Sequence, residues 1–132
     1  MTPAELRDRL ATYAREVHAL CVRLLAAPET QDAARQLMRS SASAAANHRA
    51  AGRARSHAEF TSKLGLALEE CDESLFWLEH MRDCHIADER PLAPVLNEAR
   101  SLVAILTTSH KTARRRESRP ITAPKNRYRR SD

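Results

Sequence analysis

The sequence is poor in glycine and in aromatic side chains, and it has no long apolar run. Two glycines in 132 residues leave no material for a Gly-rich phosphate-binding loop. Aromatics are 4% of the chain, too few for an aromatic-rich β-sandwich core. No apolar stretch reaches the length of a membrane-crossing helix, and no signal peptide is expected. The three cysteines, Cys21, Cys71 and Cys84, form no C-x-x-C. An odd count without disulfide or metal spacing points to a reducing compartment, and the expected location is the cytoplasm.

Catalytic signatures are missing as well. Helical bundles that hold two metals do so with Glu-x-x-His on facing helices. Three residues before His18, His48, His57, His80, His85 and His110 stand Arg15, Ala45, Ala54, Trp77, Arg82 and Thr107, none of them glutamate. His80 and Cys84 lie one helical turn apart, but two ligands at that spacing are common at any polar helix end. No serine or cysteine sits in a nucleophile motif, and the acids read as a solvated or salt-bridged helix face rather than as a general acid and base. The expectation is a protein that is not an enzyme, with no cofactor and no metal.

What is present is charge in helical register. Charged residues make up 30% and hydrophobic residues 42% of the chain, a composition that suits one all-helical domain. The organising stretch is residues 40–81. Its first half, together with the residues leading into it, carries five arginines (Arg35, Arg39, Arg49, Arg53 and Arg55) and no acid between Arg35 and His57. Ala and Ser fill the spaces, giving a helix whose face lets a neighbour approach closely. Gly52 ends that helix. Ser56 and Glu59 then form a capping box for the next one. The second half is apolar at Phe60, Leu64, Leu68, Cys71, Leu75 and Leu78, one stripe of a long helix over residues 57–86. Leu68 and Leu75 stand at the centre of the expected core. Glu70, Glu73 and Trp77 form a second stripe, which predicts a helix covered on two sides.

The flanking helices are equally periodic. Thr2, Pro3 and Glu5 start the first helix with a capping box and proline at its first position. Leu6, Leu10, Tyr13, Val17, Leu20 and Leu24 form its seam, and Pro28 ends it near Ala27. The second helix is expected from Thr30 or Gln31 to about Ala51, with Leu37 and Met38 as its larger anchors. The fourth contains Pro91 and Pro94, which predict a loose or bent start. Leu92, Val95, Leu96, Ala99, Leu102, Val103, Ile105 and Leu106 form its face, and fraying is expected near Arg115. The fold is therefore expected to be all-α: an antiparallel up-down-up-down four-helix bundle over residues 1–116, with a basic tail over residues 117–132 that is disordered when free.

Charge divides unevenly between the two. Residues 1–99 carry 12 basic and 15 acidic groups, a net −3, whereas residues 100–132 carry 10 basic and 2 acidic, a net +8. Arg114, Arg115, Arg116, Arg119, Lys125, Arg127, Arg129 and Arg130 are the residues expected to neutralise phosphates of RNA or DNA. Tyr128 is the one aromatic among them, so base-specific reading of single strands is not expected. The competing reading is a tail that only keeps the protein soluble.

The run S-A-A-A-N-H-R-A-A-G-R-A-R-S-H-A-E-F-T-S-K-L, followed by E-E-C-D-E-S-L-F-W-L-E, resembles the four helix bundle protein family, whose founding members are encoded by intervening sequences of bacterial 23S ribosomal RNA genes. Ser43, Asn47, Arg49, Ala50, Arg53, Ser56, Phe60, Lys63, Glu70, Asp72, Glu73, Trp77, Leu78 and Glu79 carry the match. It is dense over residues 35–82 and absent after about Arg116. The resemblance implies a homo-oligomer, a pentamer, in which Trp77, Glu70 and Glu73 meet Arg49 and Arg53 on the second helix of a neighbouring copy. The accessory proteins of diversity-generating retroelements look similar in fold. They imply an alternative, a protein-interaction scaffold or accessory factor of a reverse transcriptase.

Overall fold

The computed structural model describes residues 1–118. Four α-helices follow one another: α1 (Pro3–Cys21), α2 (Pro28–Ala51), α3 (His57–Asp83) and α4 (Glu89–Ser118), with a 3-10 turn, Val22–Ala26, after the first. Each packs on its neighbours in the order α1, α2, α3, α4 and back to α1. With short connections between them, this is the expected antiparallel bundle. Its α1 and α3 stand on a diagonal, bridged by the Tyr13 hydroxyl, 2.7 Å from Ser74 Oγ. Ser74 donates to the Cys71 carbonyl at 2.6 Å, so Tyr13 is the donor to Ser74. The expected tail, from residue 119 onward, lies outside the described residues.

The helix ends show which local signals work. Thr2 and Glu5 form the full reciprocal box: the Thr2 side chain accepts from the Glu5 N–H, and Glu5 accepts from the Thr2 N–H at 2.8 Å. Ser56 caps α3 by accepting from the Glu59 N–H at 3.1 Å. The return bond is displaced, because the Glu59 carboxylate takes the Arg55 N–H at 3.4 Å. Gly52 caps α2 as expected, yet in a helical conformation, φ −64°. The chain turns there through tight bonds from Arg53 to Ala50 and from Ala54 to Ala51, and positive φ is not required.

Several boundaries differ from expectation. The α-helical part of α1 stops at Cys21, and its last turn tightens to 3-10 geometry before Pro28, a common way to end a helix. In turn α2 starts at Pro28 rather than at Thr30, because proline is already shaped for a first helical position. Thr30 and Gln31 then return bonds to the Leu24 and Leu25 carbonyls. At its other end α3 stops at Asp83. His85 adopts φ 53°, its N–H bonds to Arg82, and the Ile86 N–H bonds back to Met81 at 2.9 Å, a Schellman stop with histidine where glycine is usual. Finally, α4 starts at Glu89 with Pro94 inside it and continues to Ser118. The helix continues three residues past Arg115, the expected point of fraying; arginines favour the helix and suit its C-terminal dipole.

The core runs the length of the bundle. Leu6, Leu10, Tyr13 and Val17 of α1, Leu37 of α2 and Leu92, Leu96, Leu102 and Leu106 of α4 are buried. From α2, the small residues Ala33, Ala34, Ser40, Ser41 and Ala44 are buried, and α2 packs on both α1 and α3. The buried line of α3 is Thr61, Leu64, Ala67, Cys71, Ser74, Leu78 and Met81. Phe60, Leu68 and Leu75 flank it, half-buried, so Leu68 and Leu75 are not the central core positions expected. The true line has steps of three and four, like a coiled-coil seam. Two of its members, Ala67 and Ser74, are small, which hides the line from a count of large apolar residues.

Candidate functional site

Two surfaces hold the residues singled out from the sequence. The first is the outer side of α3. Arg39 of α2 reaches Glu70 at 3.2 Å and also pairs with Glu73, so these carboxylates already have a cation within the chain. Arg49 lies ten residues further along α2, about 15 Å along its axis at 1.5 Å per residue, and Arg53 follows the end of that helix. They do not meet Glu70 or Glu73 in the same chain, and instead line a cavity at the end of the bundle.

Trp77 packs half-buried against its own core. Its indole N–H is buried without an acceptor among the described residues. Phe76 beside it is 56% exposed. The Phe76 ring meets Trp77 edge-on at 5.1 Å and stacks on His80 at 5.9 Å. Sequence reasoning missed Phe76. The available signal was a large aromatic off the Leu64, Cys71 and Leu78 line, next to a tryptophan already placed outside it. His80 also approaches the Cys84 sulfur at 3.8 Å. No third histidine, cysteine, aspartate or glutamate among the described residues joins them in a metal-binding group.

The second surface is the end of α4. From Arg100 to Arg116 there is no acid. Lys111, Arg114, Arg115 and Arg116 are exposed. Lys111, Arg114 and Arg115 recur at the spacing that places side chains on one helix face. With Leu68, Thr107 and His110 they line a groove of about 360 Å³ between α3 and α4. Gly65 lets α3 and α4 close up here, since a Cβ at that position would stand 3.0 Å from the His110 ring. The His57 ring lies 2.9 Å from the Ala113 carbonyl. A carbonyl only accepts, so His57 Nε2 carries the proton, and this bond ties the basic turn to the start of α3. Arg119, Lys125, Arg127, Arg129 and Arg130 lie outside the described residues.

The bundle topology adds a feature to these two surfaces. The start of α1, the end of α2, the start of α3 and the second half of α4 meet around one cavity. That end carries Arg7, Arg49, Arg53, Arg55, Lys63, Lys111, Arg114, Arg115 and Arg116 against Glu5, Asp8, Glu59 and Glu117, while at the opposite pole Glu29, Asp32, Glu79, Asp83, Asp88 and Glu89 outnumber Arg23, Arg82 and Arg90. The sequence showed the charge of the chain's C-terminal quarter. The antiparallel packing is what adds Arg49, Arg53 and Arg55 to it.

The comparisons fit this architecture. The family model described as the 23S rRNA-intervening sequence protein matches residues 6–108. A crystal structure at 1.70 Å from Bacteroides thetaiotaomicron, described as a protein with unknown function from the S23 ribosomal protein family, is similar with a TM-score of 0.77 and 26% identity, over 84% of this chain and 99% of that one. No curated protein matches the chain.

Proposed function

Since the chain belongs to the 23S rRNA-intervening sequence protein family, we propose that it is a non-catalytic, self-associating helical bundle whose basic end contacts the phosphates of RNA or DNA. The observation that carries this reading is the acid-free turn of α4, with Lys111, Arg114, Arg115 and Arg116 exposed beside a groove. Such a surface tracks a phosphate backbone without reading bases. Self-association would multiply the contact, because several basic ends held together act as one multivalent site.

The assembly surface proposed is the Phe76 and Trp77 side of α3. An exposed aromatic beside a half-buried tryptophan suits contact with a second copy. Arg49 and Arg53 of that copy remain available to Glu70 and Glu73, and such pairs would fix geometry more than they add stability. A pentamer is the assembly proposed, with the cytoplasm as its place. The same aromatic side of α3, with Phe76 exposed, favours one second reading, a scaffold for another protein such as a reverse transcriptase.

An electrophoretic shift with single-stranded and duplex RNA and DNA tests the proposal. The wild type is expected to shift at least one of them at low salt, and Lys111→Gln with Arg114→Gln to weaken that shift several-fold. No shift at low salt would leave only the scaffold.

A further inference from the structure

The cavity where the four helices meet at the basic end has a volume of about 690 Å³, within the range of small-molecule sites. Its walls are of two kinds. Leu6, Phe60, Leu64 and Ile105 provide an apolar floor from α1, α3 and α4. Arg7, Arg49 and Arg53 line it too, against a single carboxylate, Asp8. Arg7 is partnered weakly with Asp8 at 3.4 Å. Arg49 and Arg53 form no ion pair among the described residues.

His48 also lines this space. Its Nδ1 is buried and has no hydrogen-bond partner among the described residues. A buried polar nitrogen left unsatisfied is costly and is rare in native proteins. Burial, with the nearby Arg7 charge as a smaller cause, holds the imidazole below its ordinary range. The ring is therefore neutral near pH 7, with one N–H to donate. An anion in the cavity would sit among the three arginines, beside the His48 ring.

We propose that this cavity binds a small amphipathic carboxylate, a molecule with one anionic head and an aliphatic body. The head lies between His48, Arg49 and Arg53, and the body lies over Leu6, Phe60, Leu64 and Ile105. An inorganic anion would leave the apolar floor empty. A neutral apolar molecule would leave the arginines unanswered. Both halves of the lining are used only by a ligand with both halves. The site uses neither Lys111 nor Arg114, so it stands or falls apart from the proposed nucleic-acid contact, whereas it competes for Arg49 and Arg53 with the proposed pairing to Glu70 and Glu73 of a second copy.

Isothermal titration calorimetry of the full chain with decanoate, decanol, decyltrimethylammonium and inorganic phosphate tests this. Decanoate is expected to bind at one site per chain, at least about ten-fold more tightly than decanol, a difference of about 1.4 kcal/mol. The quaternary amine and phosphate are expected not to bind there. The double variant Arg49→Gln with Arg53→Gln changes two exposed side chains, and it is expected to lose the preference for decanoate over decanol. In an NMR titration of the wild type, the His48 ring signals are expected to move on adding decanoate and to stay still on adding phosphate. Equal affinity for decanoate and decanol would overturn the proposal. So would a preference that survives in the double variant, or no decanoate binding at all.

Discussion

At the scale of single residues, burial decides which polar and reactive groups are inert. Burial pushes the Cys21 and Cys71 thiols up to about 12, whereas Cys84 is exposed. The thiolate is the reactive form. One thiol per chain is therefore expected to react quickly with a disulfide reagent in the native protein, and three in denaturant. Two fast thiols before unfolding would contradict the burial of the α1 or α3 seam. Tyr13 is likewise pushed above its ordinary range, chiefly by burial.

His48 supplies the pH dependence. Its folded value lies below its unfolded value, so the unfolded chain binds the extra proton first. The resulting destabilisation is absent above the unfolded value near pH 6.5 and grows as the pH falls towards the folded value. Urea unfolding between pH 7.5 and pH 5 is expected to show falling stability (pH limits chosen to span about 6.5). His48→Gln is expected to flatten that fall. An unchanged slope in the variant would assign the dependence to other groups.

At the scale of elements, what the sequence revealed depended on how local the cause is. Thr2, Ser56, Gly52 and Pro28 act within one helical turn, and their caps and stops were legible to within a few residues. The α1 seam was legible because its buried positions are large. For α3, periodicity found Leu64, Cys71 and Leu78 but promoted Leu68 and Leu75, which only flank the core. Ala67 and Ser74 are buried instead because the other helices close over them, Tyr13 of α1 reaching Ser74 and α2 packing on α3. That closure is a property of the packed helices, and no helix states it alone. Unfolding measurements on two variants check this. Leu78 is fully buried, and Leu78→Ala is expected to cost about 2–5 kcal/mol. Leu75→Ala is expected to cost less than half as much. Equal losses would restore the stripe suggested by the large apolar residues.

The pairing of Arg39 with Glu70 and Glu73 was illegible for the same reason. It depends on the register of α2 against α3, which the charges alone leave open among Arg35, Arg39, Arg49 and Arg53. The half-buried Arg9, held by Glu98 at 2.5 Å across α1 and α4, was equally out of reach. Sequence spacing identifies neighbours on one helix, and these partners are 89 residues apart.

At the scale of the whole molecule, the antiparallel arrangement converts scattered charges into poles. No helix among the described residues is long and apolar enough to cross a membrane. The exposed surfaces with a distinctive chemistry are the aromatic side of α3 and the basic end. For the first, sedimentation velocity of the wild type is expected to show an oligomer at micromolar concentration. Phe76→Ala with Trp77→Ala is expected to shift it towards monomer. A monomeric wild type would remove self-association from the account and leave the exposed aromatics to another partner.

The basic end is tested most directly by how affinity for RNA depends on salt. Fluorescence anisotropy with a labelled single strand of about 30 nucleotides, titrated from about 50 to 300 mM salt, measures the slope of log affinity against log salt. A chain that neutralises about four phosphates through its basic end gives a slope near −3 on a single strand. Lys111→Gln with Arg114→Gln is expected to make the slope shallower by more than one unit. A flat dependence, or a slope that the substitutions leave untouched, would contradict the assignment of this end of the bundle to a phosphate backbone.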